Sequence, residues 1–168
     1  MADEMNDETI GTGLETAVIG MAGRFPGAKN IDEFWKNLVE GRECITYFTD
    51  EELKEAGVSS ELLKNPRYVK AYGWMEDIEF FDASFFGYTP VEAESMDPQM
   101  RLFHECALEV LESAGYDSYS YEKLIVLYAG ASANLNWQVR TLLSGNAGIL
   151  GEFPARQYHD KDFLATRI

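Results

Sequence analysis

Apolar positions along the chain fall into short blocks divided by glycine, proline and capping residues, and the blocks change period. The first, Thr16-Ala17-Val18-Ile19-Gly20-Met21, is continuous and β-branched, and Gly23, Pro26 and Gly27 cut it off. Such a run predicts a buried strand entering a loop. The second block has helical period: Ile31, Phe34, Trp35, Leu38 and Val39 share one face. Asn30 is placed as its N-cap, Glu33 can close a capping box, and Gly41 can end it in the left-handed conformation. Two short helices are predicted next. Thr49 caps one, with Glu52 at the capping-box position and Gly57 as its stop; the other covers Ser60 to Lys64 and ends before Asn65-Pro66.

Residues 67–86 carry Tyr68, Tyr72, Trp74, Phe80, Phe81, Phe85 and Phe86 with weak periodicity. They predict irregular structure over the core, with a short strand or hairpin about Tyr72 to Met75. Thr89-Pro90 with Glu92 opens a helix, and Asp97-Pro98 restarts one. The second of these is the longest, with Leu102, Phe103, Cys106, Val110 and Leu111 as its apolar face and Gly115 as its end. Ile125 to Ala129 predicts a second buried strand. Beyond it, Leu135 to Leu143 predicts a helix, Ser144 to Gly151 a mobile loop and Asp160 to Arg167 the start of another helix. This order predicts α/β layering with a parallel pair joined by a long helical crossover. Two strands fall short of a stable buried sheet, which predicts that the chain is a piece of something larger.

Composition narrows the partners. The 168 residues, about one domain, carry 14 Lys+Arg against 29 Asp+Glu, a net charge of −15. That balance excludes nucleic acid as the main partner and disfavours an anionic membrane surface. With 46% apolar residues the chain can bury a core. The longest apolar runs, such as Ile125 to Ala129, are far short of a membrane span. Met1 to Glu8 is acidic without an apolar stretch, so no secretory signal is read and a cytoplasmic protein is expected. Residues 1–14 read as a disordered acidic leader. Cys44 and Cys106 stand outside any metal-ligand spacing, so no metal is expected and both read as reduced, buried thiols.

Candidate chemistry is sparse. Gly20-Met21-Ala22-Gly23 follows a predicted strand, but it lacks the dinucleotide fingerprint and the Lys-Ser/Thr of a phosphate loop. His104 and Cys106 lie two positions apart, about 200° around a helix, so they cannot form a nucleophile–base pair. His104 and His159 each read as hydrogen-bonded structural residues. Ser132, in Gly130-Ala131-Ser132-Ala133, lacks the flanking glycines of a nucleophile elbow. The scattered carboxylates read as a solvated acidic face.

Several strings nevertheless resemble one family in order and spacing. They are residues 17–27 (AVIGMAGRFPG), 34–41 (FWKNLVEG), 81–90 (FDASFFGYTP), 96–102 (MDPQMRL) and 162–168 (DFLATRI). Together they are similar to the beginning of the β-ketoacyl synthase (ketosynthase) domain of a modular type I polyketide synthase, over about Glu15 to Ile168. His104-Glu105 and the 162–166 string look most like synthases whose acyltransferase acts in trans. The resemblance implies a thiolase-type fold in which two αβαβα halves stack, here the N-terminal part of the first half, helix-rich with few strands. It implies decarboxylative Claisen condensation: an acyl group held as a cysteine thioester is attacked by a carbanion from a carrier-bound malonyl-type unit, with two histidines and an oxyanion hole stabilising charge.

In the family the nucleophilic cysteine lies in a Thr-Ala-Cys-Ser-type string just past the matched region, with the histidines later still. Cys44, Cys106, His104 and His159 match none of them, so no catalytic residue is carried over and the fragment alone is expected to be inactive. The expected partners are the remainder of the ketosynthase domain and acyl carrier domains bearing phosphopantetheine-linked acyl groups; the fragment itself is expected to bind no cofactor. A homodimer or higher oligomer is expected, because the 125–129 strand would leave an unpaired edge. By resemblance Ser132, Asn134, Asn136 and Trp137 lie near the acyl pocket or the dimer seam. The alternative class is a split or degenerate interaction protein without catalysis.

Overall fold

A computed structural model describes residues 13–168, so the leader expected over residues 1–14 lies outside the described residues except for Gly13 and Leu14. The capping residues open helices where their spacing predicts. They are α1 (Ile31–Glu40), α2 (Asp50–Glu55), α3 (Ser60–Leu63), α4 (Pro90–Ser95) and α5 (Pro98–Ser113). Thr49 with Glu52 and Thr89 with Glu92 form full capping boxes. Asn30 caps α1, but Glu33 reaches one residue further back, to the Lys29 N–H at 2.8 Å. Gly41 ends α1 at φ 63, where its N–H and that of Arg42 close back on Leu38 and Asn37 carbonyls.

The strands differ from expectation. Thr46–Tyr47 (β1) and Ala71–Tyr72 (β2) pair antiparallel, with Thr46 opposite Tyr72. The expected strand near Tyr72 therefore exists, but its partner comes from the Ile45-Thr46-Tyr47-Phe48 run. Residues 16–21 and 125–129 are extended without a sheet partner among the described residues, and Val18, Val126 and Tyr128 are exposed. The parallel pair is thus not formed. Within 16–21, Gly20 packs directly on the end of α5. At Gly20 the approach is so close that a Cβ would sit 2.7 Å from the Val110 carbonyl oxygen and 3.1 Å from Ala114 Cβ. Arg24 then pairs with Glu109 at 2.7 Å.

The predicted apolar face of α1 is only partly covered. Phe34 stacks on Phe25 at 4.1 Å between ring centroids, and buried Asn37 donates to the Gly27 carbonyl. Trp35, Leu38 and Val39 stay exposed. Helix α6 (Leu135–Leu143) forms as predicted. The expected mobile loop at 144–151 instead holds α7 (Asn146–Leu150), bounded by Gly145 and Gly151 at φ 80 and 88, and α8 (Glu152–Gln157) follows at once. The glycines end helices on both sides rather than loosening the segment, and buried Asn146 donates to Glu94 across to α4. A 3-10 turn, Lys161–Phe163, leads into α9 (Leu164–Arg167). Among the described residues no helix is long and apolar enough to cross a membrane.

The core sits at the joint between α4 and α5. Met96, Met100, Tyr158 and Leu164 are buried there, with Phe81, Tyr88, Phe103, Ala129, Ala131 and Leu150 packed around them. The predicted α5 stripe of Leu102, Phe103, Cys106, Val110 and Leu111 is half-buried, and the residues fully enclosed on that helix are Met100, Arg101 and His104.

Candidate functional site

Ser95, Met96 and Asp97 link α4 to α5, and all three are buried. Pro98 cannot donate a helical N–H, so the chain turns at Met96 and starts again with the Asp97 side chain accepting from the Gln99 N–H at 2.8 Å. This turn leaves the Ser95 carbonyl without a helical partner. Helix α6 supplies two: the Trp137 indole N–H at 3.1 Å and the Thr141 hydroxyl at 3.4 Å. The Asp97 N–H donates to the Tyr158 carbonyl at 2.8 Å. The Gln99 side-chain amide exchanges two bonds with the Ser132 backbone, at 3.0 and 3.3 Å.

The residues that sequence reasoning places near a pocket therefore divide. Ser132, Asn134 and Trp137 meet at the α4–α5 joint, where Asn134 caps α6 by accepting from the Trp137 N–H at 3.1 Å. Asn136 is exposed and does not join them. Arg101, which lies in the 96–102 string but has no role read from it, sits beside Trp137 with its guanidinium carbon 5.2 Å from the indole centroid, and Arg140 lies 4.9 Å from the same ring.

His104 has the structural role expected of it. Its Nδ1 lies 2.8 Å from the Met100 carbonyl oxygen, and Nε2 lies 2.9 Å from the Tyr88 hydroxyl and 3.0 Å from the Arg167 carbonyl oxygen. Phe81, Phe86 and Tyr88 meet its ring edge to face. His159 differs from expectation. Its Nδ1 is shut away without a hydrogen-bond partner among the described residues, and burial holds its imidazole below the usual range. Cys106 is half-buried, and burial pushes its thiol up while Arg24 pulls the other way. The Cys44 thiol faces the Arg42 carbonyl at 3.7 Å. The surroundings of Cys106 do not activate a thiolate.

One ionisable pair crosses the core. The Tyr158 hydroxyl donates to Glu92 at 2.6 Å, and the Arg167 guanidinium lies 4.5 Å from the Tyr158 ring centroid. Burial, reinforced by Glu92, pushes the Tyr158 hydroxyl up to about 12. The Tyr158 hydroxyl and then the Thr89 N–H and hydroxyl hold Glu92 below its ordinary value. A raised tyrosine contributes stability that is complete below its unfolded value of 10.0 and is lost as pH rises through about 12. A lowered carboxylate contributes stability present above 4.5 and lost on acidification. The contribution of this pair to the thermal midpoint should therefore be constant between these limits. Tyr158→Phe should lie below the wild type by a constant amount across the plateau, and the gap should close above pH 10.0. A gap of unchanged size at high pH in the melting curves would remove the Tyr158–Glu92 bond from this account.

The family model described as "Beta-ketoacyl synthase, N-terminal domain" matches residues 15–168. The chain is 44% identical over 160 residues to a phenolphthiocerol/phthiocerol polyketide synthase of Mycobacterium tuberculosis, covering 90% of this chain and 11% of that protein. It is 41% identical over 127 residues to polyketide synthase PksN of Bacillus subtilis, covering 76% of this chain and 2% of that protein. Among solved structures, it superposes on the ketosynthase from module 6 of the Bacillus subtilis bacillaene synthase with a TM-score of 0.62. The identity there is 33%, over 86% of this chain and 24% of that one. Ketosynthase twelve of the Bacillus amyloliquefaciens bacillaene synthase gives 0.53 at 46% identity, over 57% of this chain and 17% of that one. The helix-rich, strand-poor architecture is thus part of a thiolase-like fold. The chain spans about a tenth or less of the length of these two polyketide synthases.

Proposed function

The chain belongs to the β-ketoacyl synthase family through its N-terminal domain, and on that premise we propose that it is the N-terminal frame of a polyketide synthase ketosynthase. The observation that carries this reading is the match across residues 15–168 together with 44% identity to a mycobacterial polyketide synthase. The whole to which it contributes performs decarboxylative condensation of an acyl thioester with a carrier-bound malonyl-type extender. Its substrates arrive on phosphopantetheine arms of acyl carrier domains in the cytoplasm, and in the finer assignment the acyltransferase acts in trans. The frame supplies no nucleophile. Cys44 and Cys106 match no nucleophile of the family, and burial raises the Cys106 thiol. Ser132, Asn134, Asn136 and Trp137 border the acyl pocket or the dimer seam. The exposed apolar side chains of Trp35, Leu38 and Val39 on α1, and of Leu124, Val126 and Tyr128, support burial against the remaining ketosynthase and a second copy of it.

The test is intact-mass analysis after incubation with an acyl-pantetheine thioester. The chain alone should keep its mass. Mixed with the complementary ketosynthase portion it should yield a stoichiometric acyl adduct on the complementary polypeptide. Acylation at Cys44 or Cys106, or a mixture that never acylates, would refute the reading.

A further inference from the structure

We propose that Arg101, Trp137 and Arg140 form an oxyanion-binding site, taking a carboxylate or phosphate group. Arg101 is only 8% exposed. Its Nε is enclosed without an acceptor, and its one hydrogen bond is a long one of 3.4 Å to the Glu79 carbonyl. A buried guanidinium N–H left without an acceptor is costly unless an anion meets it. Arg140, exposed on α6, brings a second guanidinium to the same indole, so the two cationic carbons are at most about 10 Å apart. Among the described residues neither has a carboxylate within ion-pair distance, although Arg24, Arg42 and Arg156 each do. Arg67 and Arg167 also lack one, but of these four arginines only Arg101 is buried.

Asp97 and Glu105, the carboxylates whose charge reaches Arg101, form no ion pair with it. Asp97 is committed to capping α5 through the Gln99 N–H. The Trp137 ring cannot turn away, because its N–H is held by the Ser95 carbonyl. The indole is therefore held in place, with a buried guanidinium and an exposed one each lying against its ring. That arrangement suits a planar or tetrahedral oxyanion accepting from both forks. The inference stands apart from the family assignment, since it rests on these three side chains alone.

Trp137 also reports on its own site. Trp35 and Trp74 are exposed, so the Trp35→Phe/Trp74→Phe protein leaves Trp137 as the single indole emitter. Its emission is titrated with inorganic phosphate and, separately, with glutarate, at ionic strength held constant with chloride. A saturable change is expected with at least one of them, and the responding arm tells phosphate from carboxylate. Arg140→Gln, an exposed substitution, should weaken it by about tenfold or more, the effect of losing a charged hydrogen bond. Arg101→Lys keeps the charge but loses the planar fork and should weaken it comparably. No saturable change with either anion, or a response of equal strength in Arg140→Gln, overturns the proposal.

Discussion

Replacing His104 with alanine should lower the thermal midpoint by about 10 °C. The residue is 6% exposed, and its ring nitrogens meet the Met100 carbonyl, the Tyr88 hydroxyl and the Arg167 carbonyl. Removing them leaves buried polar groups short of partners at about 1–3 kcal/mol each. The emptied space between Phe81, Phe86 and Tyr88 adds a cavity cost. A combined loss of about 4 kcal/mol corresponds to a fall of about 10 °C for a chain of this size. Because His104 joins α5 to the last turn, α9 should detach before the rest melts. Calorimetry together with hydrogen exchange over residues 161–168 measures both effects. A shift of only a degree or two would mean that the ring is packing filler and that Arg167 is held by other bonds.

The second large effect is expected at Gly20. Valine there would drive its side chain into the Val110 carbonyl oxygen and Ala114, both on or beside α5. Backbone cannot yield as a flexible side chain can, so the cost is about 2–3 kcal/mol, and the segment relieves it by lifting off the helix. Opening of residues 16–24 should then rise about 30-fold or more. Trypsin cleavage after Arg24 should accelerate accordingly, helped by loosening of the Arg24–Glu109 pair, while the core at Met96 stays protected. Unchanged cleavage rates in Gly20→Val would show that the segment is not held to α5 by this close approach.

Local chemistry is legible in the sequence wherever a few neighbouring residues decide the outcome. Asn30, Thr49, Thr89-Pro90 and Asp97-Pro98 announce helices because an N-cap and its partner lie within one turn. The resemblance of five short strings leads to the family that the match over 15–168 establishes. The strands are not legible in this way, because a β-branched apolar run has the same composition whether it meets a sheet, a helix or solvent. Of residues 16–21, Gly20 lies against α5, and residues 125–129 meet no strand among the described residues. The run at 45–48 carries a strand signal too faint to separate from a loop, being only two paired residues long. Of the pocket residues, Trp137 is reached by resemblance. The contact of Arg101 with Trp137 and the Tyr158–Glu92 bond are long-range pairings that no local pattern reveals.

The bonds that fix the α4–α5 joint also govern how fast the chain can reach its native state. His104 waits for Arg167 across 63 residues, Glu92 for Tyr158 across 66 and Tyr88 for Arg167 across 79. Each closes a long loop whose entropy is lost before any contact repays it. Helical chains usually fold quickly because their contacts are near in sequence, but here the decisive ones are remote. The caps that start α1 to α3 are local, though helices this short stay marginal until something packs on them. The joint at Met96 is not local, and it stays open until the residues around Tyr158, Leu164 and Arg167 have been synthesised and have closed over it.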